Sequence, residues 1–120
     1  LALTDGSATS VASLTLANDT ASAIIIFYSV EAKNATDMQI EDGFVVCRAY
    51  NDAGVVAGNT CTETSTQTLE AGTLATTWAI SAANPAVVSL NADTSLTPST
   101  GYPRLRSYSM LLGHQAVAMQ

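Results

Sequence analysis

The stretch from Thr36 to Val56, TDMQIEDGFVVCRAYNDAGVV, decides the fold. Within it Val45, Cys47 and Ala49 recur at every second position, and Phe44, Val46, Arg48 and Tyr50 take the alternate positions. That period is a strand's. The guanidinium in the second series marks the solvent side, because an unpaired buried Arg costs too much, so the Cys47 series faces the core. Asn51, Asp52, Ala53 and Gly54 then supply the turn of a hairpin.

Folded symmetrically about Gly54, this hairpin sets Cys47 opposite Cys61, within reach of a cross-strand disulfide. The pair reads as that disulfide or as inert buried thiols. A nucleophilic thiol needs a base, and the single histidine is His114 in LLGHQAVAMQ, which reads as a surface or interface residue. One His and two Cys do not make a four-ligand zinc site. Asp37, Glu41 and Asp42 offer clustered oxygens for calcium, but their spacing matches no calcium loop and a solvated turn between strands accounts for them.

Outward from this hairpin the same pattern recurs. Segments of period two, separated by Gly, Pro, Asn, Asp and Ser, fall over residues 10–17, 23–32, 38–51, 60–69, 73–82, 85–92, 103–112 and 114–119. The spacing predicts an all-β chain, an antiparallel β-sandwich of about seven to eight strands, Ig-like or jelly-roll-like. Residues 1–18 read as an N-terminal arm or first strand with a role in assembly, and residues 19–120 as the sandwich domain. In TLATTWAIS, Leu74, Thr76, Trp78 and Ile80 share a face, with Trp78 the central core aromatic. Ala86, Val88, Leu90 and Ala92 share another, after Pro85 at the strand start. CTETSTQTLE, polar on both faces, reads as an edge strand.

SAIIIFYSVEA is apolar on both faces, with Ile24, Ile26, Tyr28 and Val30 on one and Ile25 and Phe27 on the other. Such a strand is covered twice or meets another subunit. Ile25 and Phe27, with Leu14 and Leu16 of the N-terminal segment, are the interface candidates.

Composition narrows the function. Charged residues make up 12% of the 120, about half the usual share, and the net charge is −6. The cations are Lys33, Arg48, Arg104 and Arg106, too few for a phosphate-tracking stripe, so no nucleic-acid partner is expected. The longest apolar run, Ala23 to Phe27, is far short of a membrane span. The chain starts at Leu1 with no signal-peptide pattern, and its start says nothing of localisation. No nucleophile elbow, phosphate loop or metalloprotease helix is present, so neither an enzyme nor a cofactor is expected.

Three blocks, ATDMQIEDGFVVCRAYNDAG, EAGTLATTWAIS and NADTSLTPST, resemble the layout of small β-sandwich structural proteins of tailed bacteriophages. The matching positions are Thr36, Asp37 and Gln39 with Gly43; Asn51 with Gly54; Gly72 to Leu74; and Ser95 to Pro98. Ala35 stands where that pattern has Gly, and Glu41-Asp42 where a basic residue is common. The resemblance implies a virion component assembled in the host cytoplasm, a capsid decoration, cement or head-fibre protein, or a tail or fibre component. It implies partners in a homo-oligomer, a trimer favoured, and in virion proteins such as the major capsid protein.

Two other readings remain. One is an extracellular carbohydrate-binding or adhesive module, with Tyr50, Tyr102 and Tyr108 as stacking platforms. The other is a filament subunit completed by an N-terminal strand, in which removal of residues 1–17 leaves the sandwich folded.

Overall fold

The computed structural model describes residues 1–112 and 117–119. Among them the chain is all strand: β1 (Ala8–Leu14), β2 (Thr20–Lys33), β3 (Met38–Asp52), β4 (Val55–Leu69), β5 (Leu74–Ile80), β6 (Ala86–Thr94), β7 (Arg104–Leu111) and β8 (Val117–Met119). His114 lies outside the described residues. The strands form two antiparallel four-stranded sheets, β4-β3-β2-β7 and β5-β6-β1-β8, packed as a β-sandwich. β3 and β4 have 15 residues each, which at roughly 3.4 Å per residue span about 50 Å. They set the long axis of the molecule, 52 Å against 20 and 18 Å across.

Strict alternation builds the core. Ile24, Ile26, Tyr28, Val30 and Ala32 of β2 point inward with Val45, Cys47 and Ala49 of β3, and meet Leu74, Trp78 and Ile80 of β5 and Ala86, Val88, Leu90 and Ala92 of β6. Trp78 packs its ring on Tyr28, centroids 5.0 Å apart. At roughly 2 kcal/mol for each large apolar side chain, this burial is the main force closing the sandwich.

Of the two readings of the N-terminal segment, arm or first strand, the structure has the first strand, β1, within the sandwich. β1 lies between β6 and β8. Leu1 exchanges backbone hydrogen bonds of 2.8 Å with Leu105, and Leu3 N donates to Pro103 O at 2.9 Å, so the first residues cover the free edge of β7. Leu14 and Leu16 are 0% and 1% exposed. They are core residues and present nothing to a neighbour. The Leu16 backbone is held by side-chain amides: Leu16 N donates to Asn84 Oδ1, and Asn84 Nδ2 and Asn51 Nδ2 both donate to Leu16 O. Removal of residues 1–17 takes an interior strand out of its sheet.

β4 is an edge strand, as its polarity on both faces implies. Its outward residues are Thr60, Thr62, Thr64, Thr66 and Thr68, with no Lys or Pro to discourage pairing. Its inward amides turn to the neighbouring edge strand β5 instead: Gln67 Nε2 donates to Leu74 O at 2.6 Å, and Asn59 Nδ2 to Ser81 O at 2.5 Å. The corner where the two sheets meet is therefore closed by side chains.

Candidate functional site

The outward face of β4-β3-β2-β7 carries most of the exposed large apolar side chains of the described residues. Register puts Tyr108, Phe27, Phe44 and Thr64 in one row across four strands. Phe27 and Tyr108 stack with centroids 5.6 Å apart, and Phe27 and Phe44 tilt together at 6.0 Å. The next row holds Met110, Ile25 and Val46. Phe27 is 40% exposed, Phe44 39% and Tyr108 63%, although each is large enough to fill a core position. On the opposite sheet the outward residues are small, as with Ala75, Thr77 and Ala79 on β5. The two outer faces are chemically unlike.

All four cations sit on the aromatic face. Alternation turns Lys33, Arg48, Arg104 and Arg106 outward from β2, β3 and β7. Arg104 and Arg106 both pair with Glu31, at 3.1 and 3.3 Å. Arg48 has no ion pair among the described residues. Beside it lies a groove of about 490 Å³ lined by Ala21, Ala23, Arg48, Tyr50, Gly58 and Leu112. The groove exists because Ala21 and Ala23 are short where they stand across from Tyr50 and Arg48.

The tyrosines do not form one platform. Tyr108 is in the aromatic row, whereas Tyr50 pairs with Ala21, six residues along β2 from Phe27 and so roughly 20 Å away. Tyr102 is half-buried near the other end, with the Arg104 guanidinium 4.8 Å above its ring. That face is taken by the arginine, and Tyr102 is not an open stacking surface.

Cys47 and Cys61 are directly opposite, Cα atoms 4.1 Å apart, and joined by a disulfide. Asp37, Glu41 and Asp42 are not a cluster, because neighbours in a strand point to opposite faces. Asp42 faces out, whereas Glu41 faces in and is 2% exposed. The solvated-turn reading fails for Glu41, which lies mid-strand in β3. Here the usual pattern inverts: Met38 and Ile40 are exposed at 51% and 40%, and Gln39 and Glu41 are buried.

Glu41 belongs to a polar group that the composition hid. Tyr28 Oη contacts Glu41 Oε1 at 2.7 Å and also Glu63 Oε1; Thr76 Oγ1 contacts Glu63 Oε1 at 3.0 Å and also Glu41 Oε1. Gln67 Nε2 donates to Glu41 Oε2 at 2.5 Å. Strands β2, β3, β4 and β5 each contribute. The signal was there in the alternation, since counting back by twos from Cys47 reaches Val45, Gly43, Glu41 and Gln39, and forward from Cys61 reaches Glu63, Ser65 and Gln67. Burial pushes the Glu63 carboxyl up, with the neighbouring Glu41 adding to the rise; for Glu41 the same burial is outweighed by donors led by Thr76 and Gln67, which hold it down. Burial, and then the two carboxylates, hold the Tyr28 hydroxyl far above its ordinary range. It stays a donor.

Comparison with protein-family models, with curated proteins and with solved structures finds no match for this chain.

Proposed function

We propose that the chain is a non-enzymatic structural module that works by packing against other copies of itself, with the outward face of β4-β3-β2-β7 as the packing face. The observation that carries this reading is the row Tyr108, Phe27 and Phe44, rings in contact with one another and open to solvent. Exposed contiguous apolar surface of this kind marks interfaces. The charge distribution supports a second copy as the occupant. The face gathers every Lys and Arg of a chain with net charge −6, while Asp5 and Asp93 stand together at one end of the other sheet. The same face also carries Glu31, paired with Arg104 and Arg106, and the exposed Asp42, so its charges are mixed; contact between it and the opposite sheet of the next copy is heterologous and closes into a ring when the rotation allows.

A ring of this kind fits the trimeric virion component, a capsid decoration or fibre protein packed against the major capsid protein, that the resemblance to phage structural proteins implies. Light scattering of the purified chain across a dilution series tests the packing role. A persistent multiple of the 12.4 kDa chain mass is expected, and a monomer at every concentration overturns the reading.

The groove beside Arg48 favours a second reading, a carbohydrate-binding module. Tyr50, 45% exposed, offers a ring face next to the Arg48 guanidinium, which has no ion pair among the described residues. That pairing suits a sugar ring bearing a carboxylate.

A further inference from the structure

We propose that Glu41 and Glu63 hold one proton between them in the folded chain, and that this shared proton makes the β4–β5 corner a pH-sensitive latch, closed in mild acid and weakened by alkali. The inference goes beyond the packing role and does not depend on it.

The pair has fewer protons than contacts to fill. Tyr28 Oη and Thr76 Oγ1 each touch both Glu41 Oε1 and Glu63 Oε1, making four oxygen–oxygen contacts. Each hydroxyl has one proton to give. Two contacts are then filled and two are left as bare oxygen against oxygen. Gln67, the remaining donor, gives to Glu41 Oε2 and Leu74 O and adds nothing between the Oε1 atoms.

Among the described residues no cation supplies the missing positive charge. The elements around the pair present Tyr28 from β2, Glu41 from β3, Glu63, Ser65 and Gln67 from β4, and Thr76 and Trp78 from β5. Lys33, Arg48, Arg104 and Arg106 all lie on the far side of their sheet. Two adjacent carboxylates without a counter-ion keep a proton, as in other paired-carboxyl sites. The Cys47–Cys61 disulfide, next along the strands from the Val45–Glu63 pair, ties β4 to β3. Repulsion in the doubly ionised pair is therefore relieved by moving β3 and β4 together away from β5, which loosens Thr76 and Gln67 from their partners.

The direction with pH follows. Glu63 is held above its ordinary value of 4.5, so its contribution is complete below that value and is lost as pH rises through the raised one. Glu41 is held below 4.5, so its contribution is present above that value and is lost as pH falls through the lowered one. The two limbs meet in mild acid.

The test is thermal unfolding of the intact, oxidised chain from about pH 4 to about pH 9, with Glu63→Gln alongside. The wild-type Tm should fall by roughly 5 °C or more between about pH 5 and about pH 9. Glu63→Gln, whose amide keeps a donor at any pH, should lose most of that fall. A flat wild-type profile, or an undiminished fall in Glu63→Gln, overturns the proposal. Carboxyl carbon NMR of the wild-type chain decides independently of how the variant folds. One glutamate should stay protonated above about pH 6, and two that both ionise in the ordinary range contradict the latch.

Discussion

Cys47 faces Cys61 across the β3–β4 ladder because of one extra residue at Gly58. The turn pairs Asp52 with Val55 across Ala53 and Gly54, both at positive φ, 50° and 88°. Continued without interruption, that register would set Cys47 against Thr60. A bulge between Arg48 and Tyr50 takes up one residue of β4, and beyond it Cys47 pairs with Cys61. The bulge also turns the threonine row outward and sends Glu63 and Gln67 inward, since a one-residue slip flips every side chain of a strand.

Gly58 is the hinge of that arrangement. It sits at φ +66°, and a Cβ there would come within 2.4 Å of the Tyr50 ring. Gly58→Val should destabilise the fold by about 2 kcal/mol or more, from left-handed backbone strain together with the displaced ring. The midpoint of chemical denaturation reads this, and a midpoint unchanged from wild type contradicts the role given to the bulge.

The disulfide closes a loop with a sequence separation of 14. For a loop of that size, reduction or Cys47→Ala with Cys61→Ala should lower stability by about 3 kcal/mol. Denaturation with and without reductant measures the difference. Equal curves would show that the bridge constrains nothing the ladder does not already hold.

Gly43 is required for a different reason. Its φ is ordinary, but a Cβ would lie 2.1 Å from Thr64 O and 2.7 Å from Ser65 Cα, both backbone atoms. β4 cannot retreat without breaking pairs on either side. Gly43→Ala should therefore cost about 3 kcal/mol or more, beyond most single substitutions, and should show as a lowered denaturation midpoint together with faster amide exchange along β4.

Much of this was legible in the alternation. The Cys47 face, the Trp78 face and the Ala86 to Ala92 face could be assigned from period two alone, because each has small or apolar residues against a polar partner series. Leu14 and Leu16 were harder. Their burial depends on β1 lying between β6 and β8, a non-local pairing that no local pattern encodes. Glu41 and Glu63 were harder still, since a carboxyl is ordinarily a surface residue and only the two-strand register shows them converging. β4 begins at Val55, earlier than its Thr-rich run suggests, because the tight turn lets pairing start at once.

For the sugar-binding reading, Arg48→Ala and Tyr50→Ala should each abolish binding to an acidic glycan while leaving the Tm within about 2 °C, since exposed substitutions away from packing sites move stability little. Neutral glycans should not bind. Absence of any glycan signal for the wild-type chain would remove this reading and leave the packing role.

Copies of the chain are proposed to meet at the row Tyr108, Phe27 and Phe44. Sedimentation velocity of the wild-type chain beside Phe27→Glu reads this contact, because Phe27 is already 40% exposed and its replacement opens no cavity in the core. An oligomer is expected for wild type and the single-chain mass of 12.4 kDa for the variant. An oligomer that survives Phe27→Glu unchanged would place the contact elsewhere and contradict it.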